Sequence, residues 1–240
     1  MKKLLITTAA LALSATSLMA ADVVRLGTEG AYPPYNFIND KGEVDGFERE
    51  LGDELCKRAE LTCEWVTNDW DSIIPNLVSG NYDAIIAGMA ITDERKEKID
   101  FSENYTQPDP SAYMALAGSS PDLAGGVIAA QAATIQAAHV TESGATLVEF
   151  ASPDETVAAV RNGEADAVLA DKAFLAPIAE ENADLELTGD DVLIGGGIGL
   201  GIRKSDNALR DKFTAAIQSM KADGSLNELI KKWLPDSAPF

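Results

Sequence analysis

LVSGNYDAIIAG at residues 77–88 and VRNGEADAVLAD at residues 160–171 follow one plan. Each joins the end of a helix, a glycine, a three-step link to Asp-Ala and a short apolar strand. The paired positions are Gly80/Gly163, Asp83/Asp166, Ala84/Ala167 and Ala87/Ala170. A glycine just past a helix suits a left-handed cap, and a strand apolar at successive positions suits burial on both faces, as in parallel sheets. Such a connector also arises by chance in unrelated α/β chains. Taken as a repeat, it predicts two comparable α/β units, one in each half of the chain.

Elsewhere short apolar strands alternate with helical patterns, which predicts an α/β fold with mainly parallel sheets. Val23 to Thr28 reads as a strand. Asp45 and Glu48 form a D-x-x-E capping box before a helix carrying Phe47, Leu51 and Leu55 on one face. Leu209, Phe213, Ile217 and Met220 form a second apolar stripe, ended by Gly224. Ser225 with Glu228 then caps a last helix, which carries Trp233 and stops at Pro235. In open α/β sheets, ligands bind beyond the carboxyl ends of the strands. Four segments qualify: Glu29 to Tyr32, Gly88 and its successors, Gln131 to Thr134 after the strand Val127–Ala130, and Asp171. All four are expected at one cleft.

Residues 87–98, AGMAITDERKEK, add a puzzle. Thr92 reads as a helix N-cap, and Asp93 and Glu94 suit the positive end of the helix macrodipole. Arg95 does not suit it, unless an anion completes the spot or a nearby surface acid pairs with it. The glycines at 195–197, 199 and 201 superficially resemble a dinucleotide loop. No acidic residue follows at the required offset, so they read as hinge or strand glycines.

The 240 residues carry 39 acidic and 19 basic side chains, a formal charge of −20. The acidity argues against nucleic-acid binding, which needs basic surface, and suits a monodisperse, monomeric protein. Residues 1–21 read as a secretory signal: Lys2 and Lys3, an apolar and small-residue run from Leu4 to Leu18, and a cleavage site at Ala20 or Ala21. An uncleaved anchor is the alternative. The destination is then an oxidising compartment, where Cys56 and Cys63 most simply form a disulfide. Two cysteines with His139 make a poor zinc site, so no metal is expected. His139 is given no role.

The chain resembles the periplasmic amino-acid-binding proteins of ABC importers, the polar amino-acid family of solute-binding proteins. The resemblance rests on GTEGAYPPYNF (27–37), GEVDGFERELGDELCKR (42–58), DWDSIIPNLVSGNYDAIIAGMAITDERKEKIDFSENY (69–105), ADAVLAD (165–171) and GIGLGIRKSD (197–206). It implies a type II periplasmic binding protein fold: two α/β lobes, each a sheet flanked by helices, joined by a two-strand hinge. The lobes would comprise residues 22–108 with 199–240, and 109–198. It also implies a Cys56–Cys63 disulfide, no cofactor, and delivery of the ligand to a membrane ABC permease. Position by position, Arg95 would clamp the ligand α-carboxylate and Asp171 would receive the α-ammonium. The Thr134 backbone N–H would join the carboxylate cradle. Tyr32 and Trp70 would sandwich the ligand side chain, with Glu29 meeting a distal cation. Gly88 and Ala90 would contribute backbone only. The family's basic-amino-acid binders carry serines where this chain has Ala87 and Ala90, and polar residues where it has Ala133 and Ile135. The second-lobe half of the pocket is therefore expected to be drier.

The function so implied is capture of a polar amino acid, most simply a basic one (arginine, lysine, ornithine, histidine) or an opine-like derivative. A neutral, glutamine-type ligand is the alternative. A dehydratase of prephenate-like acids on the same fold, with Glu29 or Asp171 as general acid, is the enzymatic rival. A ligand domain acting with a separate sensor is a further one.

Overall fold

Asp83 and Asp166 do the same job in two different sheets. The Asp83 N–H donates to the Arg25 carbonyl at 2.8 Å, and the Arg25 N–H donates back to Asp83 Oδ2 at 3.0 Å. The Asp166 N–H donates to the Val127 carbonyl at 2.8 Å, and the Val127 N–H donates back to Asp166 Oδ2 at 2.8 Å. In each case a carboxylate one residue before a strand accepts from the backbone at the start of its parallel neighbour. The next residues then pair in register, Leu26 with Ala84 and Ile128 with Ala167. The likeness between 77–88 and 160–171 is thus a structural equivalence.

The computed structural model describes residues 23–240, so the expected signal segment 1–21 lies outside the described residues. The first sheet contains β1 (Val24–Thr28), and β2 (Ala31–Tyr32), β3 (Asn36–Ile38) and β4 (Val44–Asp45) form a small antiparallel sheet beside it. Helix α1 (Phe47–Arg58), β5 (Cys63–Thr67), a short 3-10 turn (Trp70–Ser72), α2 (Ile73–Val78), β6 (Ala84–Ile85), α3 (Asp93–Lys98) and β7 (Asp100–Phe101) follow. The second lobe is built from β8 (Ser111–Leu116), β9 (Val127–Gln131), α4 (Ile135–Ser143), β10 (Thr146–Phe150), α5 (Pro153–Asn162), β11 (Ala167–Asp171), α6 (Lys172–Glu181) and β12 (Leu185–Val192), its five strands forming the second sheet. The chain then returns to the first sheet as β13 (Gly201–Ile202), α7 (Asn207–Asp223) and α8 (Ser225–Trp233).

Strand orders β5-β1-β6-β13-β7 and β10-β9-β11-β8-β12 show that the two sheets share one topology. In each, four strands run in one direction and one, β13 in the first sheet and β8 in the second, runs against them. The sheets are therefore mainly parallel, as expected, and mixed through one reversed strand each. The reversed strand is in each case the first one the chain forms on arriving from the other lobe, a long-range connection that no local pattern encodes. Two segments link the lobes and bond to each other: Ser102 N–H to the Leu200 carbonyl at 3.0 Å, and Tyr105 N–H to the Ile198 carbonyl at 2.7 Å. The glycine run belongs to this hinge. A Cβ on Gly197 would stand 2.6 Å from the Thr106 carbonyl oxygen, and its φ is +85°, so only glycine fits there.

The expected apolar faces are buried: Phe47, Leu51 and Leu55 of α1 pack with Phe213, Ile217 and Met220 of α7 in the first lobe. Met114, Val160, Val168 and Phe174 centre the second lobe. Two expected caps do not form. Gly46, not Asp45, holds the N-cap position of α1, and Glu48 is turned fully inward. Ser225 is already the first residue of α8, and its Oγ accepts from Arg58 at 3.0 Å. In both cases a longer-range partner outcompetes the helix end. Cys56 and Cys63 are joined, with Cα atoms 6.2 Å apart, and tie α1 to β5. Among the described residues no helix is long and apolar enough to cross a membrane, and no cluster of three or more His, Cys, Asp or Glu could hold a metal ion.

Closing so short a loop removes about 2–3 kcal/mol of chain entropy from the unfolded state. The double variant C56S/C63S is expected to fold with Tm lowered by about 5–10 °C, read from a thermal melt with and without reductant on the parent protein.

Candidate functional site

The strand-end rule holds. Glu29 and Tyr32 after β1, Gly88 and Ala90 after β6, Thr134 after β9 and Asp171 at the end of β11 line one cavity between the lobes, together with Trp70 and Arg95. Arg95 and Asp171 come from opposite lobes.

Thr92 caps α3 as expected, its Oγ1 accepting from the Arg95 N–H at 3.2 Å. That places the Arg95 side chain inward, only 9% exposed. Its guanidinium donates to the Ala90 carbonyl at 2.8 Å and, across the cleft, to the Ala133 carbonyl at 3.3 Å, and it lies 5.3 Å from the Trp70 ring centroid. The surface acids that offered an alternative are occupied: Asp93 pairs with Lys96 and Glu94 with Lys98. Among the described residues no carboxylate lies within salt-bridge distance of Arg95. Burial lowers its pKa to about 10, with Asp171 opposing, so it remains cationic at neutral pH. A buried cation bonded only to neutral carbonyls is a strong anion-binding element.

Asp171 stands at the N-cap position of α6 but caps nothing. Its Oδ2 accepts from the Tyr32 hydroxyl at 2.8 Å and its Oδ1 from Gln136 Nε2 at 3.1 Å. Gln136 is braced by Ser111 at 3.0 Å. Burial pushes the Asp171 pKa up to about 6, against the Tyr32 hydrogen bond and the Arg95 charge. Tyr32 stacks on Phe174 at 4.6 Å and on Tyr35 at 5.9 Å between ring centroids. Its hydroxyl therefore bridges the lobes while its ring is engaged with protein aromatics. Trp70, 8% exposed, donates from Nε1 to the Ala133 carbonyl at 3.4 Å.

Glu29 meets Gln131 across the cleft, Nε2 to Oε1 at 2.6 Å, and Gln131 also donates to the Ala151 carbonyl at 3.1 Å. Burial raises the Glu29 pKa to about 7, which the Gln131 bond partly offsets. Thr134 caps α4: Oγ1 accepts from Ala137 N–H at 3.1 Å and donates to the Gln131 carbonyl at 2.7 Å. The Gly88 N–H is taken by Glu48 at 2.6 Å. Ala90 opposes Ile198 in an antiparallel bridge. The bonds flanking it run from Ile91 N–H to Gly197 and from Gly199 N–H to Met89, so Ala90's own backbone groups point away from that bridge.

Sequence reasoning singled out neither Gln131 nor Gln136, and with Asp109 they make the second-lobe side polar rather than dry. The strand-end rule had reached Gln131 as the edge of a segment, whereas Gln136 lies inside a helix with no local mark. Ala133, expected only as an apolar replacement, holds φ at +58°, a conformation an alanine adopts at a cost. This turns its carbonyl toward Arg95 and Trp70, and strained residues of this kind concentrate at ligand sites.

Glu29 and Asp171 bind protons in the folded state up to about pH 7 and 6, whereas unfolded carboxylates release them near pH 4. The folded protein therefore holds more protons across that window, and the stability this confers is lost as pH rises through it. Ligand-free protein is expected to lose Tm steadily between pH 4.5 and pH 7.5 in buffers of matched ionic strength, and E29Q to flatten the decline.

The family model described as bacterial extracellular solute-binding proteins, family 3, matches residues 24–236. The chain is 36% identical over 253 aligned positions to the L-arginine-binding protein of Pseudomonas aeruginosa, covering 97% of this chain and 96% of that one. A periplasmic His/Glu/Gln/Arg/opine family-binding protein from Silicibacter pomeroyi, solved in complex with lysine, is 69% identical, with a TM-score of 0.88, covering 90% of this chain and 100% of that chain. An ancestral amino-acid-binding protein, precursor of cyclohexadienyl dehydratase, is 29% identical with a TM-score of 0.80, covering 88% of this chain and 95% of that chain. With nearly its whole described length matched, and with two lobes of one topology closing on a shared cavity, the chain belongs to family 3 of the bacterial extracellular solute-binding proteins.

Proposed function

We propose that the protein captures a basic amino acid in the periplasm and delivers it to a membrane ABC permease. The observation that carries this reading is Arg95: a buried cation on one lobe, with no carboxylate of its own, facing across the cavity to Asp171 on the other. A ligand α-carboxylate on Arg95 and an α-ammonium on Asp171 satisfy both only when the lobes approach. The closed state is then favoured by its differential affinity for the zwitterion. The ammonium also stabilises ionised Asp171, so binding near pH 6 releases a proton.

Trp70 and Glu29 take the side chain on this reading, the indole face and the carboxylate each favouring a cation. Tyr32 acts chiefly through its hydroxyl on Asp171, and Thr134 N–H, with Ala90 and Gly88, completes the wall. The lysine complex of the 69%-identical relative supports a basic ligand. The neutral alternative draws on Gln131 and on a Glu29 protonated below about pH 7, which together can bond an amide. An enzymatic reading draws on the same raised carboxylates and on the ancestral relative of a dehydratase. Turnover of prephenate or arogenate by the purified protein would favour it over binding. The reading takes the lobes as 22–108 with 199–240 and 109–198, the signal as removed, and the protein as a monomer.

A thermal-shift screen of the twenty amino acids, ornithine and opines tests it. A ligand at 100 times its Kd stabilises by about 2.7 kcal/mol. Arginine, lysine or ornithine is expected to raise Tm by about 5–10 °C, and failure of every α-amino acid to do so refutes the zwitterion clamp. R95A is expected to weaken binding at least about 100-fold in a calorimetric titration while moving the ligand-free Tm far less.

A further inference from the structure

Beneath the cavity lies a carboxylate that the binding reading does not use. Glu48, in the first turn of α1, is fully buried, as are its partners Asn36 and Tyr105. Its Oε1 accepts from the Gly88 N–H at 2.6 Å and from the Tyr105 hydroxyl, and its Oε2 accepts from Asn36 Nδ2 at 2.7 Å. Asn36 in turn accepts, through Oδ1, from the Gly30 N–H at 2.7 Å. That last bond fixes the orientation of the Asn36 amide, because a backbone N–H can only donate. Nδ2 must then face Glu48, and every partner of the glutamate is a donor, as an ionised carboxylate requires. Burial pushes the Glu48 pKa up, and the hydrogen bonds from Tyr105, Gly88 and Asn36 oppose it.

The three partners belong to three different segments of the cleft. Gly30 follows Glu29, and Asn36 pairs with Tyr32 across the small hairpin. Gly88 is the strand exit that leads to Ala90 and Arg95. Tyr105 lies in the first linking segment of the hinge, bonded to Ile198 in the second. An apolar residue at position 48 would fill the core without desolvating a charge, but it would leave three donors unanswered.

We propose that Glu48 is a positioning residue for the ligand site: one buried carboxylate, relayed through Asn36, sets the placement of the Glu29–Tyr32 loop, the Gly88–Ala90 strand exit and the hinge at Tyr105 relative to one another. Its register matters because Glu29 and Arg95 sit on two of the segments it joins, and the spacing between them is the spacing a ligand must span. The role of those two residues rests on the binding reading above, whereas the network does not.

The test is a swap of amide and carboxylate. E48Q sets an amide donor against Asn36 Nδ2 or against the Gly88 N–H, whichever way it turns. N36D/E48Q keeps the charge and restores every bond: Asp at 36 accepts from Gly30 and from the new glutamine, whose oxygen accepts from Gly88 and Tyr105. With L-lysine and L-arginine as probes, E48Q is expected to raise Kd about tenfold or more, and the swap to return it to within about threefold of the parent. Amide hydrogen exchange of Gly30 and Gly88 is expected to accelerate in E48Q and to slow again in the swap. The proposal is overturned if E48Q lowers Tm but leaves both Kd and those two exchange rates unchanged, or if the swap folds without regaining them. Should E48Q not fold, the swap alone decides, since a well-placed network predicts parent-like binding and exchange. If the parent binds neither probe, the amino-acid reading fails, and the exchange of Gly30 and Gly88 still decides the network.

Discussion

A guanidinium taken out of water without a carboxylate beside it is the constraint on which this structure turns. Burying Arg95 costs free energy that two backbone carbonyls return only in part. The surrounding fold holds it there through the Thr92 cap, the Trp70 ring beside it, and a strained Ala133 that turns its carbonyl toward it. Such an arrangement is unfavourable for stability and makes sense on the proposed binding reading, in which a ligand carboxylate would supply the missing charge. Asp171 poses the mirror problem on the other lobe, an acid whose pKa burial pushes up against the Tyr32 hydrogen bond and the Arg95 charge. Each lobe is thus left with one charge that the other lobe does not directly neutralise.

The repeated architecture explains why two such charges face each other. Asp83 and Asp166 lock the same parallel register in the two sheets, so the carboxyl ends of β6 and β11 are equivalent places in equivalent lobes. Arg95 follows one end and Asp171 forms the other. The hinge glycines let the two linking segments run close enough to hydrogen-bond each other, which turns both ends toward a single cavity. Function enters through loops and side chains on this frame, and the same frame in a relative preceded an enzyme.

Selectivity rests on a subtler balance. On the proposed reading, a cationic ligand would supply Glu29 with the charge that lets it ionise; in the structure Glu29 instead accepts from Gln131 across the cleft. A cross-lobe hydrogen bond of this type contributes to closure while leaving the carboxylate's second oxygen for a ligand. The Ala90 side chain offers no hydroxyl, so on the proposed reading more of the discrimination would fall on Glu29, Trp70 and the backbone. The wall that looked dry in the sequence carries two glutamine amides instead.

Much of this was legible in the amino-acid order. The repeat at 77–88 and 160–171, the strand-end rule, the Thr92 cap, the misplaced Arg95 and the close cysteine pair are all local patterns. Local patterns report on steric and periodic preferences of neighbouring residues, and eight positions that line the cavity were reached in that way together with the family resemblance. What the sequence could not express was who meets whom. Glu48 has the spacing of a capping residue, yet it serves Gly88, forty positions away. Glu29 meets Gln131 over 102 positions, and Tyr32 meets Asp171 over 139. Those pairs exist because the chain leaves the first lobe, builds the second and returns, so that two distant strand ends close on one another. Propensity and pattern therefore determined the elements and the chemistry at their ends, and the tertiary structure alone decided which charges would be paired by the protein and which left for a ligand.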